Sequence, residues 1–162
     1  METINETKAA KALLVLTDFS HSAKNAAGYA LNLALRTHVD IVLFNAYRIP
    51  DVGFDSWPSR NDGNLSQESV TKLQEETDRM NALSKEFTGD FTPKCDFISL
   101  EGGIAESVNE IIEDRKNILM VIMGGGKANG REDMRFGVEI TEVLVNVKCP
   151  TLIIPNCEYV PF

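Results

Sequence analysis

Two short segments carry the residues best suited to holding an anionic ligand: Thr17-Asp18-Phe19-Ser20 and the glycine run Gly124-Gly125-Gly126. Glycine lets backbone amides approach a phosphate closely and tolerates positive φ. Such amides, with a helix N-terminus behind them, form an anion site. The same run is also compatible with a plain turn after a buried strand. Asp18 has two readings as well. Its carboxylate could accept hydrogen bonds from a ribose hydroxyl or the amino group of a base, or it could close the turn towards Ser20.

Other chemistry finds little support. His21 and His38 are isolated, and Cys95, Cys149 and Cys157 have no CxxC spacing. A zinc site or disulfide framework is not expected, and reduced thiols fit better. Asp18, Asp40 and Asp96 fall at unrelated strand positions. No Ser-His-Asp or Cys-His arrangement emerges, so no residue is nominated as catalytic.

The elements that must position these residues alternate along the chain. Ala12 to Thr17 is a short apolar run of strand length. Ser20 or Ser22 would then cap a helix with Ala23, Ala27, Ala30, Leu31 and Ala34 on one face, ending near Thr37. Ile41 to Tyr47 reads as a strand buried on both faces. A loop from Arg48 to Leu65 holds Pro50, Gly53, Pro58, Gly63 and Trp57, whose ring is expected to pack the loop onto the domain.

Ser66 would cap a second helix striped by Val70, Leu73, Thr77, Met80, Leu83 and Phe87, with Glu75, Glu76, Asp78 and Arg79 largely off the stripe. Lys94 to Leu100 is the third strand. A helix marked by Ile104, Val108, Ile111 and Ile112 follows, then the apolar strand Ile118 to Met123. The three glycines and a polar loop reach to about Phe136. A last helix to Lys148 and the strand Thr151 to Ile154 complete the domain. Regular alternation implies a parallel sheet with right-handed crossovers and helices on both faces. Ligands in such sheets sit beyond the carboxyl ends of the strands, where strand order reverses. That places the candidate site after strands one and four.

Among 162 residues, 43% are hydrophobic and 25% charged, an ordinary globular mixture for one domain. A formal net charge of -8 disfavours nucleic acid as a partner. No apolar run approaches the roughly 18 residues needed to span a bilayer. Acids precede the first apolar stretch and Asp18 follows it, so the start does not resemble a secretory signal. Neither a membrane nor nucleic acid is an expected partner, and the expected location is the cytoplasm.

Taken together, LLVLTDFSHSAKNAAGYALNLA, IVLFNAY, ILMVIMGGG, FGVEITEVL and CPTLIIP resemble the universal stress protein family over nearly the whole chain. The most diagnostic pieces are TDFS after the first strand and CP before the last. The resemblance implies an α/β fold of the Rossmann-like, adenine nucleotide alpha hydrolase-like type. Its open five-stranded parallel sheet has order 3-2-1-4-5. It also implies a homodimer through the last strand and, in many members, ATP bound by a loop written G-x-x-G, nine residues, then G-[ST]. On this chain the implied ligand positions are Asp18, Ala46, Gly124 and Gly137. Gly137 would start the helix.

The second loop glycine is replaced by Lys127 and the hydroxyl residue by Val138. Lysine at a positive-φ position costs ~1 kcal/mol or more, and a lost phosphate hydrogen bond ~0.5–1.5 kcal/mol. Together they weaken binding about ten- to a hundredfold. Alternatively, Gly125 and Gly126 let the loop shift by one residue and Lys127 offers its ammonium to the phosphates.

Three functions follow: a stress-response domain with a degraded ATP site, an ATP-binding regulatory protein with a shifted loop, or a weak ATP hydrolase or nucleotidyl transferase. The domain is expected over residues 1–155, with 156–162 a tail resembling the connector of tandem-domain members.

Overall fold

The computed structural model describes residues 10–48, 62–87, 89–125 and 133–155, and of residues 62, 63 and 133–139 the backbone alone. Within these residues five strands and four helices alternate: β1 (Ala12–Leu16), α1 (His21–Thr37), β2 (Asp40–Tyr47), α2 (Asp62–Lys85), β3 (Cys95–Glu101), α3 (Ile104–Arg115), β4 (Ile118–Gly125), α4 (Asp133–Asn146) and β5 (Thr151–Pro155). All pairings are parallel, and the order is β3-β2-β1-β4-β5. Strand order therefore reverses at β1, between β2 and β4.

Period-two alternation splits the core into two layers. Leu13, Val15, Ile41, Leu43 and Ile122 pack with α1 and α2 through Ala26, Ala27, Ala30, Leu73 and Met80. Leu14, Leu16, Val42, Phe44 and Val121 pack on the other side with Val108 and Ile111 of α3 and Val143 of α4. Burying each of the larger side chains stabilises by about 1.5–3 kcal/mol, so a sheet covered on both faces supplies most of the core. The alanine stripe of α1, buried from Ala23 to Ala34, presents no bulk and lets the helix lie close to the sheet.

Several boundaries differ from the sequence reading. Helix α2 begins at Asp62, so Ser66 lies inside it and does not cap it. Val70 and Phe87, read as stripe residues, are exposed, while Ser69 is buried. Glu76, read as lying off the stripe, is also buried; Arg79 from the next turn pairs with its carboxylate, Nε lying 3.0 Å from Oε2. Gly124 and Gly125 do not turn the chain but extend β4, opposite Ile154 and Pro155. Helix α4 starts at Asp133, which puts Gly137 and Val138 inside it and not at its first residues. Trp57, Gly126, Lys127, Cys157 and the 156–162 tail lie outside the described residues.

Candidate functional site

The site begins with the turn out of β1. The Phe19 N–H donates to Thr17 Oγ1 at 3.0 Å, and the Ser20 N–H donates to Asp18 Oδ1 at 3.0 Å. Ser20 is the N-cap of α1, its Oγ accepting from the Ala23 N–H at 3.2 Å. Asp18 thus performs the turn-closing role. The tightness of this turn puts Phe19 in the left-handed region, at φ 65°, which is uncommon for a bulky residue. Its ring is held against the α1–α2 core, with the Lys72 ammonium 5.6 Å from the ring centroid.

Next comes the end of β2. The Thr17 N–H donates to the Phe44 carbonyl at 2.8 Å, while the Tyr47 carbonyl accepts from the Gly102 N–H on the β3 side at 3.0 Å. In a parallel ladder, successive residues turn their peptide groups to opposite neighbours. Ala46 therefore turns both its N–H and its C=O to the β1 side, past the point where β1 has ended. The Thr17 carbonyl, the ladder partner the Ala46 N–H would meet there, accepts from the Asn45 side-chain amide at 2.7 Å.

The third wall is the end of β4. A Cβ built on Gly124 would lie 2.5 Å from Ser22 Oγ and 2.6 Å from the Ser22 carbonyl oxygen. Glycine at 124 is therefore required by the close approach of the first turn of α1. This is a steric demand beside the two readings of the glycine run, amides exposed to phosphate or a plain turn.

These three strand ends enclose a cleft of about 80 Å³ lined by Thr17, Asp18, Asn45, Ala46 and Gly124, with Leu16, Phe44, Met123 and Ile104 as its apolar floor and side. Of the residues singled out in the sequence, Asp18, Ala46 and Gly124 are brought together at one rim. Larger but shallower hollows, about 360 Å³ beside His38 and Phe91 and about 830 Å³ beside Lys94 and Cys95, open at the opposite rim. Among the described residues no group of three His, Cys, Asp or Glu side chains could hold a metal ion.

The sequence reading passed over Asn45 and Ile104. Asn45 is the one polar residue inside IVLFNAY, a break in a buried run that marks a side chain with a hydrogen-bonding task. Ile104 looks like any apolar helix residue and gives no such sign.

The universal stress protein family model matches residues 10–155. The chain belongs to the universal stress protein family. Solved structures agree on the fold. A universal stress protein in complex with cAMP superposes with a TM-score of 0.61 at 18% identity, covering 90% of this chain and 97% of that one. One from Archaeoglobus fulgidus in complex with dAMP gives 0.55 at 13%, covering 91% and 98%. A family member from Burkholderia pseudomallei gives 0.65 at 20%, covering 90% and 96%. No curated protein matches the sequence. In this universal stress protein the cleft lies at the β1 switch point of the sheet.

Proposed function

We propose that this universal stress protein is a cytoplasmic stress-response protein that binds an adenine nucleotide chiefly by its adenosine end, with a weakened grip on the outer phosphates. The observation that carries the reading is the main chain of Ala46, which lies past the last β1–β2 pair and has no β1 partner among the described residues. It offers one donor and one acceptor at a largely apolar cleft that Asp18 also lines. That pairing suits the edge of a base, which offers an acceptor beside a donor, and a carboxylate suits ribose hydroxyls. The structural relatives holding cAMP and dAMP support the class of ligand. Lys127 and Val138 stand where the family loop has glycine and a hydroxyl residue, so the phosphate half of an ATP site is the degraded half.

Isothermal titration with ATP, AMP and cyclic AMP tests this. The expected result is that AMP and ATP bind within about tenfold of one another, because the outer phosphates gain little. Preference for ATP by more than a hundredfold would instead favour the shifted loop with Lys127 on the phosphates. No heat with any of them would leave the fold as an interaction module.

The same reading includes a homodimer through β5. Ile153 turns its N–H and C=O away from β4, since Leu152 and Ile154 face it. The strand carries no charge to blunt its edge, and Leu144 and Val145 of α4 are exposed, the latter by 75%. Ile153→Pro removes the outward N–H and leaves the β4 ladder intact. Sedimentation should then show a monomer where the unaltered chain is a dimer.

A further inference from the structure

The Asn45 amide is held by a chain of hydroxyls whose direction the chemistry dictates. A carbonyl only accepts, so Asn45 Nδ2 donates to Thr17 O and Oδ1 is the acceptor. Ser69 Oγ, 2.8 Å from Oδ1, must spend its proton there. Ser99 Oγ, 2.7 Å from Ser69 Oγ, is then the donor of that last bond. Ser69 comes from α2 and is 3% exposed, and Ser99 comes from the edge strand β3. The chain of donors thus runs from β3 through α2 and β2 to the Thr17 carbonyl, just past the end of β1.

We infer that Asn45 is a positioning residue that keeps the ligand site open: its amide occupies the Thr17 carbonyl, stops the β1–β2 ladder one step short, and leaves the Ala46 N–H for the ligand. Ser69 and Ser99 fix the amide in that orientation. A carbonyl can accept twice, so the amide acts by competing for Thr17 O; without it, nothing among these residues competes with the Ala46 N–H for that oxygen, and the two strands zip together across the mouth of the cleft. The inference rests on the reading of the cleft as a nucleotide site, but its first consequence appears with no ligand present.

The variant Asn45→Val keeps strand propensity and removes the amide. A residue with a structural role alone would leave the Ala46 amide as it was when replaced. The expected result is the reverse: in the free protein the Ala46 amide becomes protected from hydrogen exchange, read by NMR, while AMP affinity falls by roughly tenfold or more. Should Asn45→Val not fold, Ser69→Ala releases the same amide. It should weaken AMP several-fold, with binding restored by Ser69→Thr, which keeps the hydroxyl. An Ala46 amide that exchanges at its original rate in Asn45→Val overturns the inference, as does full AMP affinity in Ser69→Ala. If the unaltered chain takes up no AMP, the nucleotide reading fails, and the exchange of Ala46 still decides the role of Asn45.

Discussion

Replacing Gly124 by alanine is the sharpest perturbation of the site's framework. The new Cβ would stand 2.5, 2.6 and 2.8 Å from Ser22 Oγ, O and C. Carbon contacts are comfortable at about 3.5–4.0 Å, so the first turn of α1 must retreat by about 1 Å. Two of the three atoms are backbone, and no rotamer change moves them. Overpacking of this kind costs typically 1–3 kcal/mol, and the backbone contacts place Gly124→Ala at the upper end, about 3 kcal/mol. For a domain of this size that lowers Tm by roughly 6–12 °C.

Thermal and urea unfolding followed by circular dichroism would measure it, with Gly125→Ala as the companion. At 125 the nearest atom to the added Cβ is Ile153 Cγ2 at 3.1 Å, a side-chain methyl that can give way, and the loss should stay below about 1 kcal/mol. Combining Ser22→Ala with Gly124→Ala removes the Oγ clash but not the carbonyl, so less than half the loss should return. A Gly124→Ala protein within about 0.5 kcal/mol of the original, inside the range of neutral surface changes, would refute the steric account. Loss of nucleotide binding in Gly124→Asp would likewise report a displaced α1 as much as repulsion of phosphate.

Four further outcomes are expected. Cys95 is pushed up to about 12 by burial, with Asp96 and Glu76 adding to it; its thiolate at pH 8 is roughly a thousandfold scarcer than that of an ordinary thiol, and alkylation monitored by mass spectrometry should leave it largely unmodified in the folded protein. Because this thiol is protonated more tightly folded than unfolded, the native chain should lose stability relative to Cys95→Ala as pH rises from about 9 towards 12, read by urea midpoints across that window. Lys116, exposed at the C-cap of α3 with φ 52°, should be improved by Lys116→Gly, by about 0.5–1 kcal/mol. Asn81 spans the start of β3, accepting from the Cys95 N–H at 3.2 Å and donating to its carbonyl at 3.3 Å; Asn81→Ala should cost about 1–3 kcal/mol and speed exchange of the Cys95 amide.

The alternation of buried strands and covering helices was legible because it is written in long apolar runs, and parallel pairing follows from those runs being apolar on both faces. Sheet order came from the resemblance, since periodicity carries no information about which strands are neighbours. Asp18 could be singled out because a carboxylate directly after a buried strand either closes the turn or meets a ligand, and its bond to the Ser20 N–H shows the first of these. Boundaries fared worse where tertiary contacts override local preference. Gly124 and Gly125 look like a turn, yet Ile154 and Pro155 supply a partner strand that keeps them extended. Helix α2 extends past Ser66 back to Asp62, so a good capping residue became an interior one.

The glycine run shows that one residue type can answer a demand its sequence does not name. Glycine is demanded wherever backbone must come close to something, and the sequence does not say to what. At 124 the neighbour is the helix that begins at Ser20, and that helix carries the Asp18 turn on its N-terminus. The glycine therefore acts on the ligand site indirectly, by letting α1 settle deep enough for Asp18 to face Ala46. Asn45 does the complementary work from the other side, by holding β1 and β2 apart at their last step. One residue brings the walls of the cleft together and the other keeps its mouth open. That is why the two substitutions should differ in kind, Gly124→Ala lowering stability and drawing the Asp18 turn back with α1, and Asn45→Val closing the site in a protein that remains folded.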